Sequence, residues 1–146
     1  MARVALLDVN VLVALFMPEH VHHELAHDWF ADHQGAGWAT CAVTENGFIR
    51  VVTQLPGENV LRPETAVEHF RRFCAAKSHQ FWADRVSVTD PAVFKPAYIR
   101  GHRQITDIYL LGLATAMRGY LATFDESIPL KAVIGATAAN LQVIGE

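Results

Sequence analysis

Short apolar runs that alternate with longer stretches of helical period constrain this chain more than any other feature. Val4-Ala5-Leu6-Leu7 is apolar at every position. That is the pattern of a strand buried on both faces, although a piece of helix fits it too. Trp38-Ala39-Thr40 follows the turn Gly35-Ala36-Gly37, and Arg85 to Val88 is closed by Asp90-Pro91. Tyr120-Leu121-Ala122-Thr123-Phe124 and Leu141-Gln142-Val143-Ile144 complete the set of predicted strands. Helical stretches separate them: Val21 to His33 with Leu25, Trp29 and Phe30 on its apolar side, Thr44 to Gln54, and Pro63 to Ala76 with proline at its start. A further helix runs from Thr106 as N-cap through Ile108, Leu111 and Met117, with Gly119 as its stop.

Strands alternating with helices imply right-handed crossovers and a parallel sheet covered on both sides. The expected fold class is therefore α/β, with a central parallel five-stranded sheet. Residues 1–146 read as one domain, and a chain of about 150 residues can bury roughly 70% of its unfolded surface without staples. Two cysteines, Cys41 and Cys74, exclude a disulfide framework and a four-thiolate zinc site. Asp8 and Asn10 interrupt the apolar N-terminal stretch, which argues against a signal peptide. No run approaches the ~18 apolar residues of a membrane span. The expectation is a soluble, cytoplasmic protein with no membrane association.

In parallel sheets the functional crevice lies beyond the carboxyl ends of the strands. Asp8 follows the first predicted strand directly, and Asp125 follows the fourth after Phe124. Glu45 lies in the helix after the second strand, and Asp107 opens the helix that leads into the fourth. Taken singly, each acid has an ordinary structural use. Asp8 or Asn10 suits a helix cap, Asp107 complements a helix dipole, Asp125 suits a turn, and Glu45 suits an exposed helix face. As a set on one rim, they repel one another and call for a cation. Carboxylate oxygens without neighbouring Cys or His favour Mg²⁺ or Mn²⁺. The chemistry that follows is metal-assisted attack of water on a phosphodiester. Pattern and spacing alone leave the structural and the catalytic readings balanced.

Four segments carry a resemblance. They are Leu6-Leu7-Asp8-Val9-Asn10-Val11-Leu12-Val13-Ala14-Leu15, Thr44-Glu45-Asn46-Gly47-Phe48-Ile49-Arg50-Val51, Ile105-Thr106-Asp107-Ile108-Tyr109-Leu110-Leu111 and Ala122-Thr123-Phe124-Asp125. In this order, over essentially the whole chain, they resemble PIN domains, and more narrowly the VapC-type ribonuclease toxins of toxin–antitoxin pairs. The resemblance implies a three-layer α/β/α sandwich and a Mg²⁺-dependent endoribonuclease. It implies metal ligands at Asp8, Glu45, Asp107 and Asp125, a polar helper at Asn10, where family members often carry Ser or Thr, and a hydroxyl at Thr123. It also implies a homodimer and an antitoxin that blocks the site.

The net charge of −3 announces no nucleic-acid partner. Yet setting four of the 15 acids aside as ligands leaves 11 against 12 Lys and Arg. A bound cation would turn the site from repelling phosphate to attracting it. Arg50 and Arg103 lie near the proposed ligands in sequence and suit RNA phosphates, although a surface salt bridge is the commoner use of such residues. Phe81-Trp82 offers rings for base stacking, against ordinary packing beside a strand.

His23-Glu24-Leu25-Ala26-His27 is a literal H-E-x-x-H, the helical zinc motif of metallohydrolases. In the alternative reading His23 and His27 bind zinc and Glu24 is the base. Phe30 stands where the extended form of that motif needs glycine, and the commoner use of such a stretch is a solvated helix face. Whether the His20–His33 cluster binds metal stays open at this level. His69, His79 and His102 show no ligand spacing. A receiver-like module would want adjacent acids after the first strand, which are not found. No G-x-G-x-x-G or phosphate loop is present, which argues against a nucleotide cofactor. A catalytically silent RNA-binding PIN domain would lack one or more of the acids, and all four are present.

Overall fold

The structure, a computed structural model, describes residues 3–55 and 61–145. Five parallel strands form one sheet in the order β3-β2-β1-β4-β5, with β1 Ala5–Leu7, β2 Trp38–Cys41, β3 His79–Trp82, β4 Tyr120–Thr123 and β5 Leu141–Val143. Helices α1 Val9–Phe16, α2 His23–His33, α3 Ala42–Val52, α4 Pro63–Phe73 and α5 Ile105–Ala116 surround it. Alternation along the strands builds two cores. Ala5, Leu7, Trp38 and Ala122 pack with residues of α1 to α4, while Leu6, Ala39, Cys41 and Leu121 pack with α5, Phe94 and Ala132. This is the expected three-layer α/β/α arrangement. No described helix is long and apolar enough to cross a membrane.

The third strand is not where the apolar pattern placed it. Arg85 to Val88 forms no strand, and β3 is His79–Trp82. The reason is position: β3 is an edge strand that pairs only with β2, so three of its four residues keep some exposure and its sequence does not read as a buried run. Helix α1 follows β1 after a single residue; the apolar pattern showed the run but not the helix.

The ends of α5 also differ from expectation. Gln104, not Thr106, is the N-cap, and it makes no side-chain capping bond. At the other end Arg118 takes the left-handed conformation (φ 59°) in which glycine was expected. The Gly119 N–H donates to the Ala114 carbonyl at 2.9 Å and the Arg118 N–H to Thr115 at 3.0 Å, a Schellman closure. Gly119 is required for another reason: a Cβ there would stand 2.4 Å from the Val4 carbonyl oxygen. Gly47 plays the matching part near the site, since a Cβ would meet the Val9 side chain at 2.7 Å. Its absence lets α3 lie close against the start of α1.

Candidate active site

The strand order reverses between β1 and β4, and the crevice beyond their carboxyl ends is the natural binding place of such a sheet. Asp8 leaves β1 there and is 5% exposed. One of its oxygens caps α1 by accepting the Val9 N–H at 2.7 Å, and the other accepts the Thr123 hydroxyl at 2.7 Å. The capping use anticipated for Asp8 is therefore present, and it leaves the second oxygen at the crevice.

Thr123, at the end of β4, is fully buried. Its one proton goes to Asp8, and its oxygen accepts from the Asp125 N–H at 3.0 Å and from Asn10 Nδ2 at 3.3 Å. A hydroxyl has one donor and two lone pairs, so all of its capacity is used. Asn10 also accepts the Phe124 N–H at 3.4 Å, which fastens α1 to the loop after β4. Asp125 accepts two bonds from Ser127, 2.8 Å from its N–H and 2.7 Å from its hydroxyl.

Asp107, in the first turn of α5, lies within hydrogen-bonding reach of Asp125 and within the field of Asp8. Burial, the Asp8 charge and Asp125 together push its carboxyl up to about 7. Burial raises Asp8 as well, opposed by its bonds to Thr123 and Val9. The Ser127 bonds hold Asp125 below the ordinary range. Two of the three acids are thus shifted upward, and hydrogen bonds from Ser127 hold the third toward its charged form. Among the described residues the salt bridges are those of Arg62, Arg71 and Arg72, and none reaches this crevice. Clustered carboxylate oxygens without a neutralising side chain fit a hard divalent cation of the Mg²⁺ or Mn²⁺ type.

Glu45 has hydrogen-bond and side-chain partners of its own. Its carboxylate accepts the Thr40 hydroxyl at 2.7 Å, and it shares a compact group with Cys74 and His79. Arg50 and Arg103 are exposed and unpaired among the described residues. Phe81 is 55% exposed, whereas Trp82 is buried in the core and its Nε1 donates to Gln80.

The H-E-x-x-H stretch has a different use. His23 Nδ1 is 2.7 Å from the Ala14 carbonyl oxygen and His27 Nε2 is 2.9 Å from that of Leu15. Both rings therefore donate to the otherwise unbonded carbonyls at the end of α1. His33 bonds the Trp29 carbonyl at 2.7 Å, four residues back on its own helix. Glu24 is exposed. Inspection of the sequence missed Thr40, Cys74, His79 and Ser127. Ser127 two residues after Asp125 has a local turn signal. The other three meet only through strand pairing and helix packing.

The chain matches the PIN domain family over residues 5–134. It is 42% identical to Ribonuclease VapC44 of Mycobacterium tuberculosis over 140 residues, which covers 96% of this chain and 99% of that protein. Ribonuclease VapC39 of the same organism is 36% identical over 132 residues, 90% of this chain and 95% of that one. Ribonuclease VapC38 is 42% identical over 128 residues, 85% and 86% of the two chains.

Proposed function

This chain belongs to the PIN-domain family as a VapC-type ribonuclease, and from that premise we propose that it is a Mg²⁺-dependent endoribonuclease, with Mn²⁺ able to substitute, acting as the toxin of a toxin–antitoxin pair. The observation that carries the reading is the placement of Asp8, Asp107 and Asp125 around the β1–β4 strand ends, close enough to shift one another's protonation, with no salt bridge to them among the described residues. The names of the similar M. tuberculosis proteins supply the substrate, RNA.

In this reading Asp8, Asp107 and Asp125 hold the cation, with Glu45 as the fourth acid of the set. When bound, the cation offsets phosphate charge and lowers the pKa of an attacking water. The chain's own part is positioning. Val9 N–H and Thr123 fix both oxygens of Asp8, so this carboxylate enters the crevice in one orientation. Thr123 and Asn10 tie the loop carrying Asp125 to α1, and Ser127 fixes the rotation of its carboxylate. Asp107, its carboxyl raised to about 7, would be held in its charged form by a cation bound beside it. Arg50 and Arg103, both exposed, are the cations offered to RNA phosphates. No side-chain nucleophile is required. The protein works in the cytoplasm as a homodimer whose crevice the cognate antitoxin blocks.

The direct test incubates the purified protein with single-stranded and structured RNA in Mg²⁺, in Mn²⁺ and in chelator. Internal cleavage that needs either ion is the expected result. Cleavage that persists in chelator, or none in any condition, overturns the reading.

A further inference from the structure

His79, Cys74 and Glu45 come from three separate elements: β3, the C-cap of α4 and the first turn of α3. One ligand atom of each lies within 4.8 Å of the others, and all three side chains are half-buried. The Thr40 hydroxyl donates to Glu45 Oε2 at 2.7 Å, and its oxygen lies 2.8 Å from His79 Nε2, so one threonine joins the carboxylate to the ring. With the ring proton on Nδ1, Nε2 offers a lone pair to a cation, the state in which histidine binds metal. The carbonyl end of α4 lies beside the group and favours positive charge.

We propose that Cys74, His79 and Glu45 form a site for a borderline-soft divalent cation, Zn²⁺, separate from the aspartate cluster. A thiolate, an imidazole and a carboxylate suit Zn²⁺ or Co²⁺ and not Mg²⁺. Zinc–ligand distances of about 2.0–2.3 Å set tetrahedral donors roughly 3.5 Å apart. Against the 4.8 Å limit the group needs to contract by no more than about 1.3 Å, within reach of side-chain rotation of Glu45 and Cys74. Binding displaces the Cys74 thiol proton to solvent, and water completes the four-coordinate shell. Three protein ligands that meet only in the folded chain also make the ion a staple between α3, α4 and the edge strand.

The site has a consequence for catalysis that rests on the ribonuclease reading. Glu45 cannot serve both groups at once. Zinc on Cys74 and His79 engages the Glu45 carboxylate, the fourth acid of the ribonuclease reading, and so opposes Mg²⁺-supported RNA cleavage. Zinc availability then sets how much of the protein is active.

The test uses the full chain with Co²⁺ as a spectroscopic probe. One equivalent of Co²⁺ should give a thiolate-to-cobalt charge-transfer absorption that Zn²⁺ abolishes by displacement. Cys74→Ser should remove the band, His79→Gln should weaken Co²⁺ binding by about tenfold or more, and Asp107→Asn should leave both unchanged. Circular dichroism checks the fold of each variant, and Cys74→Ala replaces Cys74→Ser if the serine variant does not fold. No thiolate band in the native chain, or a band that survives loss of Cys74, overturns the site. In the activity arm, the zinc concentration that half-inhibits cleavage in Mg²⁺ should rise by about tenfold or more in Cys74→Ser. Equal inhibition of both proteins overturns the regulatory role and assigns zinc inhibition to the aspartates. If the native chain cleaves no RNA with Mg²⁺ or Mn²⁺, the ribonuclease reading and the regulatory role fall together, while the cobalt spectrum still decides the site.

Discussion

The aspartate crevice and helix α2 are the two regions where the sequence concentrates metal-ligand residues, and they end up opposite in character. In α2 the rings of His23 and His27 are held by the Ala14 and Leu15 carbonyls, and His33 by Trp29. These histidines complete the end of α1 and a turn of their own helix. At the crevice, burial above all, and then the Asp8 and Asp125 carboxyls, push the Asp107 pKa up to about 7. A cluster becomes a site through the bonding capacity left over after folding. Residue type alone does not make one.

The largest expected effect tests the crevice side of that contrast. Asp107→Asn keeps shape and removes the charge. Changing a partner one layer out from a metal typically costs 10–100-fold, so loss of a carboxylate of the cluster itself should lower metal-dependent RNA cleavage by more than about 100-fold. Far-UV circular dichroism should stay native. A folded, fully active variant would remove Asp107 from the chemistry.

Thr123 offers the next test, because its hydroxyl joins Asp8, Asp125 and Asn10. Thr123→Val keeps the volume and leaves those polar groups without their partner. Cleavage should fall by about 10–100-fold, and denaturant unfolding should show a loss of about 1–3 kcal/mol. Thr123→Ser should recover most of both. Equal behaviour of the valine and serine variants would show that packing, not the hydroxyl, matters here.

A third test reads the unbalanced charge directly. The folded pKa of Asp107, about 7, lies above the unfolded value of about 3.9. Its protonated form therefore adds stability that is complete below about pH 4 and is lost as pH rises through about 7. Melting curves in chelator should show the metal-free protein weakening across that window, and Asp107→Asn should flatten the fall. Mg²⁺ or Mn²⁺ at 100 times its dissociation constant should restore about 2.7 kcal/mol at neutral pH. Asp8→Asn, which removes a repelling charge, should melt higher than the native chain in chelator and gain less from metal. A native chain indifferent to both pH and metal would show that the carboxyls do not act as one group.

The smallest effects belong to α2. His23→Ala and His27→Ala should each lower stability by about 1 kcal/mol, through lost bonds to α1, and leave RNA cleavage within a few-fold. Glu24→Gln, on an exposed face, should change stability by no more than about 0.5 kcal/mol. Zinc-dependent peptide hydrolysis that disappears in these variants would reverse the contrast between the two regions.

Much of the frame was legible because it is local. Val4 to Leu7, Trp38 to Thr40 and Tyr120 to Phe124 read as strands since burial on both faces leaves near-continuous apolar runs, and Leu141 to Ile144 reads as one from Leu141, Val143 and Ile144 although β5 is a partly exposed edge. Asp8 and Asp125 could be placed on one rim because each follows its strand at short range and parallel strands end on the same edge. The third strand escaped because an edge strand keeps exposed residues, as His79-Gln80-Phe81 does.

The sequence by itself determined the alternation that makes a parallel sheet, the acids that follow β1 and β4, and the family signature they belong to. Tertiary structure alone decided how the polar atoms were allotted. It gave the His23 and His27 rings to α1, saturated the Thr123 hydroxyl with three partners, and turned Glu45 toward Thr40, Cys74 and His79. The physical reason is that backbone pattern depends on neighbours a few residues away. A buried hydrogen bond depends on which donors and acceptors from distant segments arrive at the same place, and on how many protons they have to share.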